Sequence, residues 1–290
     1  MGKLLIDATE RKYALGLFVV PSLAMIKPVI EAAMEEKSPV IIGAGYKHLN
    51  SLVGINVFAS AVKAQAESAE VPAAIHLDHG KNLQEVLQCI RGGFNSIMYD
   101  ASDHPLEKNI QLTRKVAEIV HEAGIPIEAE INKIPVVEEA IPTDVSEEFL
   151  TKPEEARRFV EETKVDTLAI SVGQFHHYPK LVGETHPVPK VAKLDLERIK
   201  AIKEATGATL CLHAGSHTLD DQIREAIKLG VTKINVGHLQ MVAFTDTVRR
   251  TIKNAPDLYR PNEILEPAQL EVKKVVKYEM RVFGSSNKAN

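Results

Sequence analysis

Few features of this chain point to a special environment. It has only two cysteines in 290 residues, and Cys89 and Cys211 stand in separate apolar runs with no CxxC spacing. That excludes a disulfide framework and reads as reduced core thiols. A basic excess is missing too: the formal net charge is −4, so nucleic acid is not an expected partner. No uninterrupted apolar run approaches the ~20 residues of a membrane span. The apolar start of the chain is cut off by Asp7 and Glu10, too early for a signal peptide. There is no low-complexity tract, no interdomain linker, and no Gly-rich dinucleotide fingerprint after the first strand pattern. What remains, 44% hydrophobic and 26% charged, describes a soluble globular protein whose default location is the cytoplasm.

The order of patterns along the chain is more specific. Short β-rich apolar runs at 16–20, 39–44, 73–78, 96–101, 126–131, 167–172, 209–214 and 233–237 give eight strands. Charged segments with apolar residues at helical spacing lie between them, such as 23–36, 82–91, 107–123, 152–162, 196–205 and 219–229. Several of these end on glycine, as at Gly124, Gly207 and Gly230. Parallel strands need helical crossovers, and eight such units close into a barrel, a fold of about 250 residues or more. The expectation is one α/β domain over 1–290, a (β/α)8 barrel with a C-terminal helical extension at 267–281. An open doubly wound sheet is the alternative. Two insertions, 132–150 and 173–193, follow the fifth and sixth strands, at the face where barrel enzymes keep their chemistry.

The third strand ends in His76-Leu77-Asp78-His79-Gly80. Two imidazoles and a carboxylate at a buried strand end need partners, and a divalent metal would supply one. Alone, the hexapeptide 75–80 serves equally well as a hydrogen-bonded strand end. The other strand ends decide between these readings. His176 follows the sixth strand and His213 the seventh, while Asp100 and Glu130 close the fourth and fifth. Three imidazoles at matched topological positions, plus an open position, have the make-up of a catalytic zinc site.

In this order and spacing, HLDHG (76–80), SIMYDASDHPLEKNI (96–110), EAEI (128–131), the GxxH of 173–176, LHAGS (212–216), KINV (233–236) and VFGSSNKA (282–289) resemble the class II, metal-dependent ketose-bisphosphate aldolases. The resemblance covers nearly the whole chain. It implies a (β/α)8 barrel acting as a homodimer or homotetramer on a small sugar phosphate. It also implies a zinc ion, or another divalent metal such as cobalt, with a monovalent cation as a further cofactor. Position by position it makes His79, His176 and His213 the metal ligands, with Asp100 and Glu130 holding the metal in a second, buried position. Asp78 matches the acid/base for the acceptor aldehyde's oxygen, and Glu138 the base that takes the donor proton, with Glu139 beside it as an unranked alternative. Lys180, Gly215, Ser216 and Asn235 match donor contacts. The reaction it implies is aldol cleavage and condensation of a ketose phosphate or related ketose through a metal-stabilised enediolate, with a donor of dihydroxyacetone or dihydroxyacetone phosphate type. Lysine Schiff-base chemistry is the rival strategy. It finds no lysine at a strand end except Lys233, which opens the eighth strand at its N-terminal side.

The departures from the family pattern fall in the substrate pocket. His177 and His217 stand where glycines are usual, and His238 where a hydroxyl is usual. Val136-Val137 replaces a Gly-Gly pair, which should stiffen the loop before Glu138. Glycine-rich loops cradle phosphate because no Cβ intrudes. The three histidines are therefore expected to cluster and read a different donor terminus, a repositioned phosphate or a carboxylate. Simple packing together is the alternative. Two further functions stay open on residues alone: an isomerase or epimerase using the same enediolate chemistry, and a catalytically silent metal-keeping protein.

Overall fold

The computed structural model describes residues 1–52, 54–137, 145–177, 186 and 188–289. Ten strands occur among them: β1 (Leu15–Val19), β2 (Val40–Gly45), β3 (Ala73–Gly80), β4 (Ser96–Tyr99), β5 (Ile127–Glu130), β6 (Val136–Val137), β7 (Thr167–Ile170), β8 (His176–His177), β9 (Thr209–Leu212) and β10 (Val231–Val236). Eight of these form a closed parallel barrel in the order β1-β10-β9-β7-β5-β4-β3-β2. All eight expected strands are therefore present, within a residue or two at most ends. Most of them are apolar and buried on both faces, as strands wrapped by helices must be, while β3, β5 and β10 carry buried polar groups.

The helices bury their apolar stripes against the outside of the sheet. In the helix Leu106–Glu122, Ile110, Thr113, Val116, Ala117 and Val120 recur at helical spacing and are buried. The crossover after β2 holds a helix that the sequence pattern does not delimit, Ile55–Ser68, with Phe58, Ala59, Val62 and Ala66 inward. The N-terminal helix Gly2–Glu10, also not delimited by the pattern, packs Leu5 and Ala8 on Leu15, Leu17, Ile41 and Ala74 at the start of the strands. The C-terminal extension is longer than expected, Pro261–Val282, and packs against the helices Ile26–Glu36 and His238–Asn254. Arg281 clamps Glu36 there through two guanidinium nitrogens.

Both insertions lie after their strands, and they meet. β6 pairs in parallel with β8, Val136 opposite His176 and Val137 opposite His177. The two valines that replace glycines thus form a strand, the conformation β-branched side chains favour. This pairing fixes His176 and His177 above the barrel, and alternation sends their side chains to opposite faces.

Candidate active site

Adjacent residues on a regular strand face opposite ways, yet Asp78 and His79 both point into the same space. The register of β3 against β4 shifts between Leu77 and Gly80, and His79 has φ 50, in the left-handed region. That backbone costs a non-glycine residue roughly 1–2 kcal/mol, and bulges beside active sites re-aim side chains in this way. His213 is followed by a second such residue, Ala214 with φ 57.

Hydrogen bonds settle which nitrogen each imidazole offers. His79 Nδ1 lies 2.7 Å from Asp100 Oδ2, and a carboxylate only accepts, so Nδ1 carries the hydrogen and Nε2 keeps its lone pair. Asp100 is itself pinned by Lys81 Nζ at 2.7 Å and by the Ser102 hydroxyl at 2.7 Å. His213 Nε2 lies 3.0 Å from Glu128 Oε1, so Nδ1 keeps the lone pair there. The two lone-pair nitrogens, His79 Nε2 and His213 Nδ1, are 3.1 Å apart. That spacing calls for a proton or a cation between the two nitrogens. A tetrahedral zinc with bonds of about 2.0–2.1 Å would hold two nitrogens roughly 3.3 Å apart. One ligand nitrogen from each of His79, His176 and His213 lies within 4.8 Å of the others. The three expected ligands therefore converge, and their donor set fits a divalent metal.

Without a metal, charge in the pocket puts a proton where the ion would sit, between His79 Nε2 and His213 Nδ1. Burial pulls the His79 imidazole down, but Asp78, the bond to Asp100 and the charge of Glu130 outweigh it and push it up to about 10. Burial and the neighbouring imidazoles push His176 down to about 3, which keeps it neutral. Burial alone would raise the Asp78 carboxyl, yet His79 and His213 hold it below its ordinary value. Glu130 shifts the other way, raised by burial, and its Oε2 is buried with no hydrogen-bond partner among the described residues. An orphaned carboxylate oxygen beside the Asp100 carboxylate marks a place short of a cation. His79, Asp100 and Glu130 form a second converging group, where the second metal position was expected.

The remaining expected residues divide. Gly215 and Ser216 lie in the 3-10 turn Gly215–His217, where Ser216 Oγ accepts from the Gly237 backbone N–H at 3.3 Å. Asn235 donates from Nδ2 to Asp78 Oδ1 at 3.1 Å. His177, His217 and His238 do form one cluster. His217 Nε2 is 2.9 Å from His238 Nδ1, and the His177 and His217 ring centroids are 5.3 Å apart. Both His177 ring nitrogens are buried without a partner among the described residues. Glu138, Glu139 and Lys180 lie outside the described residues.

The position of Lys233 differs from the expectation. It begins low on its strand, but its amine does not stay there. The side chain is fully buried, and Nζ reaches Glu128 Oε2 at 2.9 Å and Asn235 Oδ1 at 2.6 Å. Sequence reasoning reaches Glu128 only as part of a motif, and Lys81 not at all. The alternation Glu128-Ala129-Glu130 does carry the signal, since residues two apart share a strand face.

Comparison with known proteins agrees with this geometry over the full chain. The family model "Fructose-bisphosphate aldolase class-II" matches residues 1–288. The fructose-bisphosphate aldolase of Geobacillus stearothermophilus is 36% identical over 292 residues, covering 100% of this chain and 98% of that protein. The 6-phospho-5-dehydro-2-deoxy-D-gluconate aldolase of Bacillus subtilis is 36% identical over 291 residues, covering 100% of this chain and 96% of that one. Among solved structures, the YdjI aldolase from Escherichia coli K12 superposes with a TM-score of 0.82 at 30% identity, covering 100% of this chain and 98% of the other. With its three strand-end histidines and its eight-stranded barrel, this chain belongs to the class-II fructose-bisphosphate aldolase family, and it is an aldolase, a carbon–carbon lyase that cleaves and forms ketose phosphates.

Proposed function

We propose that the aldolase works with a zinc-type divalent ion held by His79, His176 and His213, on a donor of dihydroxyacetone type. The convergence of His79 Nε2 and His213 Nδ1, 3.1 Å apart, with a His176 nitrogen in the same group carries this reading. Such an ion supplies Lewis-acid polarisation of the donor's ketone oxygen. The chain's own groups do the rest. Asp78 holds its charge below neutral pH and is aimed by Asn235, so it can exchange a proton with the acceptor aldehyde's oxygen. Asp100 and Glu130, with His79, would offer the ion a second, buried seat. Glu138, by its place in the family motif, takes the donor's carbon-bound proton; Lys180, Gly215, Ser216 and Asn235 hold the donor.

The histidine cluster sets this chain apart. His177, His217 and His238 read the donor's terminal group, which is a repositioned phosphate or a carboxylate rather than the phosphate of a glycine cradle. Supporting this, the three come together from separate loops, and His177 keeps two buried nitrogens without partners among the described residues. We place the enzyme in the cytoplasm as a homodimer or homotetramer.

The test is a cleavage screen with metal-reconstituted protein across ketose phosphates, free ketoses and ketouronates, each with a chelator control. Activity should require metal, with the best substrate differing from fructose 1,6-bisphosphate. Chelator-insensitive cleavage would overturn the metal reading, and a plain preference for fructose 1,6-bisphosphate would overturn the donor-terminus reading.

A further inference from the structure

Beneath the metal-facing nitrogens lies a charged pair with no exposure, Lys233 on β10 and Glu128 on β5, joined at 2.9 Å. Taking both charges out of water is costly, and apolar residues of similar volume would serve a barrel core at least as well. The pair therefore needs a reason beyond packing, and its remaining bonds give one.

An ammonium has three N–H donors and no acceptor. Besides Glu128, Lys233 Nζ donates to Asn235 Oδ1 at 2.6 Å and lies 3.5 Å from Cys211 Sγ. The Asn235 amide must therefore turn its oxygen toward Lys233 and its NH2 group away. That NH2 donates to Asp78 Oδ1 at 3.1 Å, and it stands 3.1 and 3.4 Å from the two His213 ring nitrogens. Two near-equal distances suit an amide braced beside the ring rather than bonded to one nitrogen. Glu128 Oε1 accepts from Lys233 Nζ at 3.1 Å and from His213 Nε2 at 3.0 Å, and so leaves His213 Nδ1 to ligate. A carboxylate behind a ligating histidine commonly fixes its tautomer and orientation.

We propose that Lys233 is a positioning residue of the aldolase. Through Asn235 it aims Asp78, and through Glu128 it keeps the His213 ring in its ligating tautomer and orientation. This rests on the roles given above to Asp78 and His213. Lys233 itself touches neither group.

The test compares Lys233→Met with the double variant Lys233→Met/Glu128→Gln. Thermal unfolding, Co2+ affinity by chelator competition, and kcat and KM are measured on each and on the parent protein. Lys233→Met strands a buried carboxylate, so it should lose thermal stability and bind Co2+ about 10- to 100-fold more weakly. The double variant leaves no lone charge, and the amide that replaces the Glu128 carboxylate keeps an acceptor oxygen for His213. It should fold like the parent and bind Co2+ within about threefold, yet lose kcat about 100-fold with little change in KM, because Asn235 no longer aims Asp78. A double variant with parental kcat would overturn the proposal. So would a loss of kcat fully accounted for by lost folding or lost Co2+. If the parent protein itself binds no Co2+, the metal reading falls first and takes this inference with it.

Discussion

Two groups of three histidines stand side by side at the mouth of this barrel, and they share a stretch of chain, since His176 belongs to one and His177 to the other. In the group of His79, His176 and His213, carboxylates tie one nitrogen of His79 and one of His213, and one ligand nitrogen from each of the three lies within 4.8 Å of the others. In the group of His177, His217 and His238, the His217 ring is tied to backbone and to His238, and the His177 ring packs edge-on against it without a hydrogen bond among the described residues. The Pro189 carbonyl can only accept, so His217 Nδ1 donates to it at 3.2 Å, and His217 Nε2 then accepts from His238 Nδ1 at 2.9 Å. Its lone pair is used up inside the cluster. Residue type is the same in both groups, but the carboxylates around the first leave its lone pairs converging. A histidine trio becomes a metal site when acidic neighbours hold the outer nitrogens, not merely when three rings meet.

Removing one ring from each group is the most direct way to break that comparison. His213→Ala should weaken Co2+ or Zn2+ binding at least about 1000-fold and lower kcat roughly 10⁴-fold, since a ligand and the Lewis acid go together. His217→Ala should leave metal affinity within about threefold. Chelator competition on both variants decides it, and comparable metal loss from His217→Ala would erase the distinction. A smaller effect should follow from restoring the family's glycines. In His177→Gly/His217→Gly, the kcat/KM ratio of fructose 1,6-bisphosphate to the chain's preferred substrate should rise about 10- to 100-fold, because buried groups set for one terminus penalise another. An unchanged ratio would make the cluster packing alone.

Local signals make one group far more legible in the sequence than the other, and they explain where legibility stops. The barrel follows from eight apolar runs, because a strand buried on both faces is written continuously in the chain. His79, His176 and His213 are visible because strand ends converge in any such barrel. The cluster of His177, His217 and His238 is visible only as departures from a family pattern, and in the structure the three rings meet. The bulge that turns His79 inward cannot be read, since nothing about histidine announces a φ of 50. Strand β6 is two residues long and exists because β8 pairs with it, a tertiary effect no local pattern encodes. Lys233 misleads for a simpler reason. Its Cα lies low on the strand, but four methylenes carry its amine up the barrel to Asn235.

The comparison also predicts opposite behaviour with pH in the metal-free protein. Burial, then the charges of His217 and His177, push the His238 imidazole down to about 4, whereas carboxylates push His79 up to about 10 against burial. For His238 the folded value lies below the unfolded one of about 6.5. The unfolded chain therefore binds the proton first as pH falls, and stability present above about 6.5 is lost on the way to 4. For His79 the folded value lies above, so its contribution is full below about 6.5 and is lost as pH rises through 10. Only a partial share of either shift survives solvent screening, which puts each at about 1–2 kcal/mol. In urea titrations of metal-free protein, His238→Asn should then flatten the stability loss between pH 6.5 and 4 while leaving the alkaline limb alone. His79→Asn should flatten the alkaline limb and leave the acid one. If both variants altered the same limb, the two groups would share one electrostatic environment, and the contrast between a carboxylate-braced trio and a self-paired one would fail at its physical root.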